Sequence, residues 1–328
     1  MKKSRFLFVI PFLLFSCSNG ASLNAKREKL KNAQQPNDEI KKLILESESK
    51  TNSVINVEKN TIYSPLTDAA VNLIGKACKG EESALAQYKA LSEIFNVEVD
   101  KFSCESNALV AAETIDDDLE KKLNDNYIST YEGSPSQMSK YVSKIYGDDC
   151  DFGETEFLNL NVLSFKDSFS TPLEKSKKDI FHGTTEVNTT FYLRKSESSI
   201  VDNDVYTAAT MTIYHTTLTI IMAKEGHSLK EINANDIYNL SSQKTGMVEF
   251  EIPQFSVNSQ ISYNVDDPTY QVNHFEFTKE GVKGKSVAAK GPTAADPSFE
   301  FKFTVDRPFI FASCYQGIPL MVGSVSSL

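Results

Sequence analysis

The first half of the chain carries hydrophobic residues at the spacing of helices. Apolar residues along 38–49, "DEIKKLILESES", predict a short amphipathic helix. Proline is favoured in the first turn of a helix, so Ser64-Pro65 predicts the start of a second helix, one rich in small residues. Further helices are predicted within 82–95, from Asp116 onward and within 134–147, and a buried strand is predicted within 106–115.

After Thr155 the pattern changes to β-branched and aromatic residues in short runs. These runs predict strands within 155–165, 185–194, 207–215, 217–223, 246–257, 273–278, 299–305, 308–314 and 319–325. Helices come mostly first and strands mostly later, without regular alternation of the two. This order predicts an α+β fold built on antiparallel or mixed sheets.

One segment carries two patterns at once. Gly and Pro in "KEGVKGKSVAAKGPTAADP" (279–297) predict a loop. Yet Val282, Gly284, Ser286 and Ala288 place small residues at every second position, with lysines between the first of them. Period-two alternation is typical of a half-buried strand. The segment is therefore a loop by composition and a strand by periodicity.

Composition limits the kinds of partner. The chain has 328 residues, 40% of them hydrophobic and 24% charged, as in an ordinary globular protein. Its formal net charge of −10 argues against a nucleic-acid partner, because a phosphate backbone would be repelled over most of the surface. There is no Trp, so 13 Tyr and 21 Phe must supply the aromatic packing.

The N-terminus has the features of an export signal. A basic start precedes an apolar run, Phe6–Phe15, that is too short to span a bilayer and ends in small residues. We therefore predict a signal peptide over 1–20, a flexible lead-in over 21–36, a single domain over 37–328, and secretion. The alternative is a lipid anchor on Cys17, because "LLFSCS" is similar to a bacterial lipoprotein cleavage site.

No catalytic, metal or cofactor site is predicted. The four histidines have no metal-binding spacing, and the sequence lacks a phosphate-binding loop, a G-x-S-x-G elbow and a His-Glu-x-x-His motif. The acidic run Asp116–Asp118 is better explained as a helix cap than as a metal site. Five cysteines suit neither zinc nor a redox pair, although one or two disulfides are compatible with an oxidising compartment. These observations predict a non-enzyme.

Six segments, in order, resemble the serpin family. They are "NTIYSPLTDAAVNLIGKACKG", "TEFLNLNVLSFKDSF", "KKDIFHGTTEVNTTFYLRK", "IIMAKEGHSLKEI", "VEFEIPQFSV" and "FKFTVDRPFIFASCYQGIPLMVGSV". The last is very close to the closing strands of that family, and the third resembles a strand pair. Each match alone is weak, whereas the order of all six, from about Asn37 to the C-terminus, is strong evidence.

The resemblance implies a monomer with three β-sheets, surrounding helices and an exposed reactive-centre loop at about 279–300. Serpin inhibitors offer this loop to a serine or cysteine protease, are cleaved, and trap the acyl-enzyme while the cut loop enters the main sheet as a new strand. Small residues on the inward face of the loop are then expected. The implied hinge residues are Glu280, Gly281, Val282, Gly284, Ser286 and Ala288. The implied central switch comprises Ser64, Pro65, Thr67, Asn161 and Gln271.

The spacing from the hinge implies a reactive bond at Ala295, with Asp296 as the alternative. Ala295 indicates an elastase-like target protease that prefers small residues. No polysaccharide activator is expected, because the segment after Phe95 is too short for the basic helix that activated members use.

Some positions depart from the family pattern. Gln271 replaces the usual His of the central network, and Phe169 replaces a Trp near the top of the central strand. Lys290, on the inward face, and Pro292 are expected to slow late insertion. The atypical hinge and the short segment between Asn264 and Tyr270, where the family usually has a helix, favour the alternative function. That alternative is a non-inhibitory binding or interaction protein with the same fold, with anchoring to a cell surface as an option.

Overall fold

The computed structural model describes residues 36–146, 157–238, 240, 244–263, 269–284 and 300–328. The helices are α1 Asp38–Glu48, α2 Thr51–Val54, α3 Pro65–Cys78, α4 Glu82–Ile94, α5 Asp117–Asp125, α6 Pro135–Tyr146 and α7 Ala234–Tyr238. The strands are β1 Thr61–Tyr63, β2 Val97–Val99, β3 Phe102–Ala112, β4 Ile128–Glu132, β5 Phe157–Ser168, β6 Glu174–His182, β7 Glu186–Asp202, β8 Tyr206–Thr212, β9 Thr216–Ala223, β10 Lys244–Pro253, β11 Phe255–Tyr263, β12 Thr269–Thr278, β13 Gly281–Gly284, β14 Glu300–Thr304, β15 Phe309–Tyr315 and β16 Ile318–Val325. The predicted α+β class is confirmed.

The chain divides into two compact units. The described residues of the smaller unit are 109–146 and 157–158. Within it, Asp116 caps α5 by accepting hydrogen bonds from the backbone N–H groups of Asp118 (3.0 Å) and Leu119 (3.2 Å), as the acidic run predicts. Tyr131 of β4 stacks on Tyr141 of α6 with ring centroids 4.0 Å apart.

The described residues of the larger unit are 36–108 and those from Asn159 onward. It contains most of two sheets. In one, the strands follow the order β11-β12-β13-β5-β3-β2. In the other, the order is β1-β16-β15-β9-β8-β7-β10-β14, and β6 also pairs with β7.

The described strands form two sheets where the resemblance implies three. The reason is β7, which has 17 residues. Its first part pairs with β6, its middle pairs with β10, and Ser199–Asp202 pair with β8. One continuous strand therefore joins what would otherwise be two sheets.

The predicted strand over 246–257 is two strands in different sheets. β10 ends at Pro253 and β11 begins at Phe255, so Gln254 marks the change of sheet. Proline has no N–H to donate to a ladder, which makes Pro253 a suitable last residue for β10.

Phenylalanines hold the two sheets together. The ring of Phe255 on β11 lies 5.7 Å from Phe275 on β12 and 5.5 Å from Phe311 on β15, between ring centroids. Phe275 and Phe311 are 4.5 Å apart. All three are buried, so these aromatic contacts supply the packing that a chain without Trp requires.

Candidate strand-insertion site

The predicted hinge is a strand inside a sheet. β13 lies between β12 and β5 and is antiparallel to both, with Val282 opposite Phe277 on one side and Asp167 on the other. The Val282 side chain is 1% exposed, whereas the Lys283 ammonium is exposed and lies 3.5 Å from the carboxylate of Glu276. The loop that the resemblance implies to be exposed is thus already paired from Gly281 to Gly284, with Val282 buried and Lys283 exposed, because its alternation fits a sheet with one buried face.

Below Gly284 the described parts of the two flanking strands are not paired with each other. In the described ranges β5 and β12 form no ladder with each other, since each pairs with β13 instead. Asn161 and Leu163 of β5, and Gln271 and Asn273 of β12, are buried along this gap. We call the space between these residues of β5 and β12 the slot. β13 fills its upper end, and mostly polar side chains line its buried side.

Gln271 fastens β12 to the start of α3. Its side-chain oxygen accepts a hydrogen bond from Ser64 N–H (2.9 Å), and its Nε2 donates to Ser64 C=O (3.1 Å) and to the Tyr263 hydroxyl (2.9 Å). Asn273 Nδ2 adds a bond to Ile62 C=O (2.9 Å). Because a glutamine amide can donate and accept at once, it pairs with both backbone groups of Ser64.

Ser64 also starts the helix. It is the N-cap of α3, and its Oγ accepts a hydrogen bond from Thr67 N–H (3.2 Å) while Pro65 occupies the first helical position. Ser64 Oγ donates to Thr67 Oγ1 at 3.0 Å. The structure thus brings together four of the five predicted switch residues, Ser64, Pro65, Thr67 and Gln271.

Asn161, the fifth, has different partners. Its Nδ2 donates to Ser106 Oγ (3.1 Å) and Asn107 C=O (3.3 Å), both on β3. Its buried Oδ1 has no hydrogen-bond partner among the residues that the structure describes. A buried amide oxygen without a partner is costly, so this atom is a ready acceptor beside the slot.

A buried carboxylate that the sequence pattern did not predict lies beneath this network. Asp68 of α3 accepts hydrogen bonds from Tyr263 Oη (2.6 Å), Ser47 Oγ (2.6 Å) and Lys50 Nζ (2.8 Å). Burial, followed by the nearby Asp68 charge, raises the pKa of the Tyr263 phenol. Tyr263 therefore remains protonated and links Asp68 to Gln271 as a donor to one and an acceptor from the other.

At the upper end of the slot, Phe169 occupies the position of the family Trp. Its ring meets Phe277 edge-on (centroids 6.3 Å apart), and the Arg194 guanidinium carbon lies 4.5 Å from the ring centroid. The Phe169 and Leu173 N–H groups donate to the carbonyls of Glu280 (2.9 Å) and Lys279 (2.7 Å). The buried Phe169 ring therefore packs against Phe277, and it also forms a cation–π contact with Arg194 that the sequence pattern did not predict.

Comparison with solved structures identifies the fold. A structure of the thermophilic serpin tengpin in its native state is 15% identical, covers 94% of this chain and 100% of that one, and has a TM-score of 0.68. Serpin48 of the insect Tenebrio molitor is 16% identical, with coverage of 89% and 100% and a TM-score of 0.67. The chain has the serpin fold. Human thyroxine-binding globulin, solved with its hormone, shares it at 12% identity, with coverage of 88% and 99% and a TM-score of 0.66.

No protein-family model matches the chain, and no curated protein sequence matches it. At 11–16% identity, the similarity to the solved serpin structures shows the fold alone.

Several predicted site residues of the serpin loop lie outside the described residues. They are Ser286, Ala288, Ala295 and Asp296. Cys17, the predicted lipid acceptor, and the predicted signal peptide lie outside them as well. Of the part of the chain that is described, no helix is both long and apolar enough to cross a membrane.

The histidines and cysteines are scattered over this serpin fold. His182 and His227 each face a glutamate, Glu186 (3.0 Å) and Glu231 (2.9 Å), at the surface. His215 packs against Phe102 with ring centroids 5.2 Å apart. The three described cysteines, Cys78, Cys104 and Cys314, form no disulfide with one another.

Proposed function

We propose that the chain inhibits a serine or cysteine protease by acting as a suicide substrate. The protease nucleophile attacks the carbonyl of the bait residue, the peptide bond after it breaks, and the new amino terminus leaves. The bait residue stays on the enzyme as an ester or thioester. Insertion of the cut loop into the sheet then pulls the enzyme along and distorts it before water can release it.

The seated hinge strand is the observation that supports this proposal. β13 already has ladders to β12 and β5, and those strands have no ladder to each other below it in the described ranges. A strand entering there would gain backbone hydrogen bonds on both edges. Each is worth about 1 kcal/mol net, so about a dozen of them are enough to drive a large rearrangement.

The register of β13 predicts the partners of the residues that follow. Continuing it would set Ser286 between Leu163 and Asn273. It would set Ala288 between Asn161 and Gln271, next to the unpartnered Asn161 Oδ1. We expect a small side chain to be favoured between these two amides, and the sequence has Ala288.

The same register predicts where insertion slows. Lys290 would face the core at the level of Asn159, and burying its charge would cost several kcal/mol. Residues 282 to about 295 would span roughly 45 Å at about 3.3 Å each, enough to carry a tethered protease the length of a domain. We expect trapping to be slower than in a chain with a small residue at position 290.

The test is incubation of the purified chain with an elastase-like protease. We expect a covalent adduct that survives boiling in detergent, and a thermal midpoint that rises sharply in the cleaved chain, because the uncleaved form is kinetically trapped. An unchanged midpoint after clean cleavage, with no adduct, would refute the proposal.

Two matched variants separate insertion from simple cleavage. Ala288→Arg places a charge on the core-facing side, so the chain should be cut without forming an adduct. Ala289→Arg places the same charge on the opposite side and should still form the adduct. Equal yields of adduct from the two would contradict the register.

The mass of the released C-terminal fragment locates the reactive bond. We propose Ala295 as the bait residue, which gives a fragment that begins at Asp296. Asp296 is the alternative, and it would give a fragment that begins at Pro297. A bond before proline is a poor substrate for most proteases, which favours Ala295.

A non-inhibitory binding protein is the second candidate. The atypical loop sequence favours it, because Lys290 on the core-facing side and Pro292 oppose full insertion of the loop. Thyroxine-binding globulin, which has this fold, forms a complex with thyroxine. A clean cut that leaves the thermal midpoint unchanged would support this candidate.

We further propose that the protein acts outside the cell as a monomer, without cofactor, nucleic-acid or polysaccharide partner. The predicted signal peptide over 1–20 supports secretion, and Cys17 supports the lipid-anchored alternative. Mass spectrometry of the mature N-terminus distinguishes the two.

A further inference from the structure

Asp167 is a fully buried acid at the upper end of β5. It is 0% exposed, and its Oδ2 accepts hydrogen bonds from three successive backbone N–H groups, those of Tyr214 (3.2 Å), His215 (2.9 Å) and Thr216 (2.7 Å). The Thr216 hydroxyl donates a fourth bond at 2.8 Å. One carboxylate oxygen thus holds the whole turn between β8 and β9.

Among the residues that the structure describes, no Lys, Arg or His forms an ion pair with this carboxylate. Within the described part of the chain its other oxygen, Oδ1, has no hydrogen-bond partner, and burial raises the pKa of the carboxyl while the bonds to Thr216, His215 and Tyr214 act against that rise. Burying an acid without a cation is costly. Converging backbone N–H groups offset that cost by forming an anion-binding concavity.

Asp167 also adjoins the hinge. It lies in register with Val282, and a Cβ built on Gly281 would come within 2.2 Å of the Asp167 carbonyl oxygen. β13 therefore contacts the backbone of Asp167, the residue whose side chain fastens the end of β5 to the β8–β9 turn of the other sheet.

We propose that Asp167 is a positioning residue that keeps the upper end of the slot open for β13 in the uncleaved chain. The carboxylate fixes the end of β5 on the Tyr214–Thr216 turn, so the distance between β5 and β12 at this level does not depend on β13. β13 can therefore form hydrogen bonds with both β5 and β12. Without the anchor, the end of β5 shifts and β13 loses one of its two edges.

Hydrogen exchange of the uncleaved full-length chain tests this anchor. The readout is the exchange rate of a peptic peptide covering Lys279–Gly284, relative to one covering Phe309–Tyr315 in the core. We expect Asp167→Ala to speed exchange of the hinge peptide about tenfold while the core peptide is unchanged.

Asp167→Asn, which keeps an acceptor for the turn, should rescue most of this protection. Lys166→Ala, at an exposed neighbour on β5, should have no effect.

A second variant keeps the test decisive if Asp167→Ala does not fold. Thr216→Val removes only the hydroxyl donor, and we expect a rise of about threefold at the hinge alone. Hinge exchange within twofold of wild type in every variant that folds would overturn the proposal, as would a parallel rise in the core peptide.

The anchoring role of Asp167 serves the proposed protease inhibition and rests on it for its purpose. The exchange measurement uses no protease, so the anchor and the inhibition can fail separately. If the wild-type chain forms no adduct but Asp167→Ala still speeds exchange at the hinge, protease inhibition is refuted and the anchoring role of Asp167 is supported.

Discussion

Gly281 is the residue at which the chain turns from β12 into β13, and its missing side chain makes that turn fit. Its φ is +145°, a region that favours glycine, and its Cα faces the Asp167 carbonyl closely enough to exclude a Cβ. The family motif for the hinge also has Gly here, but the motif alone does not show which neighbour demands it. In this chain that neighbour is the backbone of β5.

We expect Gly281→Ala to displace β13 from the slot. The added Cβ clashes with a backbone atom that cannot move away, and the backbone strain costs about 1–3 kcal/mol. A displaced hinge should be cut after Lys283 by a lysine-specific protease at least about tenfold faster than in wild type. The measurement is the rate at which the fragment ending at Lys283 appears.

Gly226 provides the matched control for this substitution. Its φ is +83°, but a Cβ built there meets no atom within 4 Å. Gly226→Ala should therefore cost some stability through strain alone and leave the rate of cleavage at Lys283 unchanged. Equal acceleration by both variants would mean that general destabilisation, and not the contact with Asp167, explains the effect.

At the scale of elements, one side chain connects a strand to a helix. Gln271 of β12 bonds both backbone groups of Ser64 at the start of α3, and it replaces the His that the family usually has. We expect Gln271→Ala to lower the free energy of unfolding by about 2–4 kcal/mol, because it leaves buried groups of Ser64 unpaired. Gln271→His should recover part of that loss, since it still offers one nitrogen to the network.

Urea unfolding measures these changes. Val272→Ala, at the exposed position next in the strand, serves as the control and should shift the free energy of unfolding by less than about 0.5 kcal/mol. If Gln271→Ala lowered the free energy of unfolding by no more than the control does, water would be making the hydrogen bonds of the lost amide.

Local pattern predicts most elements, because each depends on neighbours in sequence. The helices from Asp38, Pro65 and Asp117 follow from apolar spacing and caps, and β15 and β16 from their apolar runs. The change of sheet at Gln254 was not predictable in this way, because a single apolar run continues across it. Neither was the insertion of β13 between two strands, because one of its neighbours, β5, is distant in sequence.

The residues of the candidate site were likewise predictable from the sequence only in part. Small alternating residues in the loop indicated a strand, and the resemblance placed Ser64 and Gln271 in one network. Asp167 was missed, although it shares the inward parity of Asn161, Leu163 and Phe165. A charged residue at a core-facing position is the signal that could have found it.

At the scale of the whole molecule, stability should depend on pH through Glu48. Burial raises the pKa of this carboxyl to about 7, near Tyr238 and Cys314. A carboxyl whose pKa is raised by folding binds protons more tightly in the folded state, so its contribution to stability is lost as pH rises from about 5 to about 8. The cost at pH 8 is about 1 kcal/mol, allowing for partial exposure to solvent.

We therefore expect Glu48→Gln to raise the thermal midpoint by about 2 °C at pH 8 and to have little effect at pH 5. Glu46→Gln, at an exposed position on the same helix, is the control. A gain for Glu48→Gln that is the same at both pH values would assign it to helix propensity and not to the titration of the carboxyl.

The positions of β15 and β16 determine what a single cut in the chain can do. Both follow the loop in sequence, yet they lie inside the nine-stranded sheet, between β9 and β1, and nearly all their residues are buried. A cut before Glu300 would therefore leave the C-terminal fragment bound to the rest of the protein. The two fragments should migrate as one species in native electrophoresis and separate only when the protein is denatured.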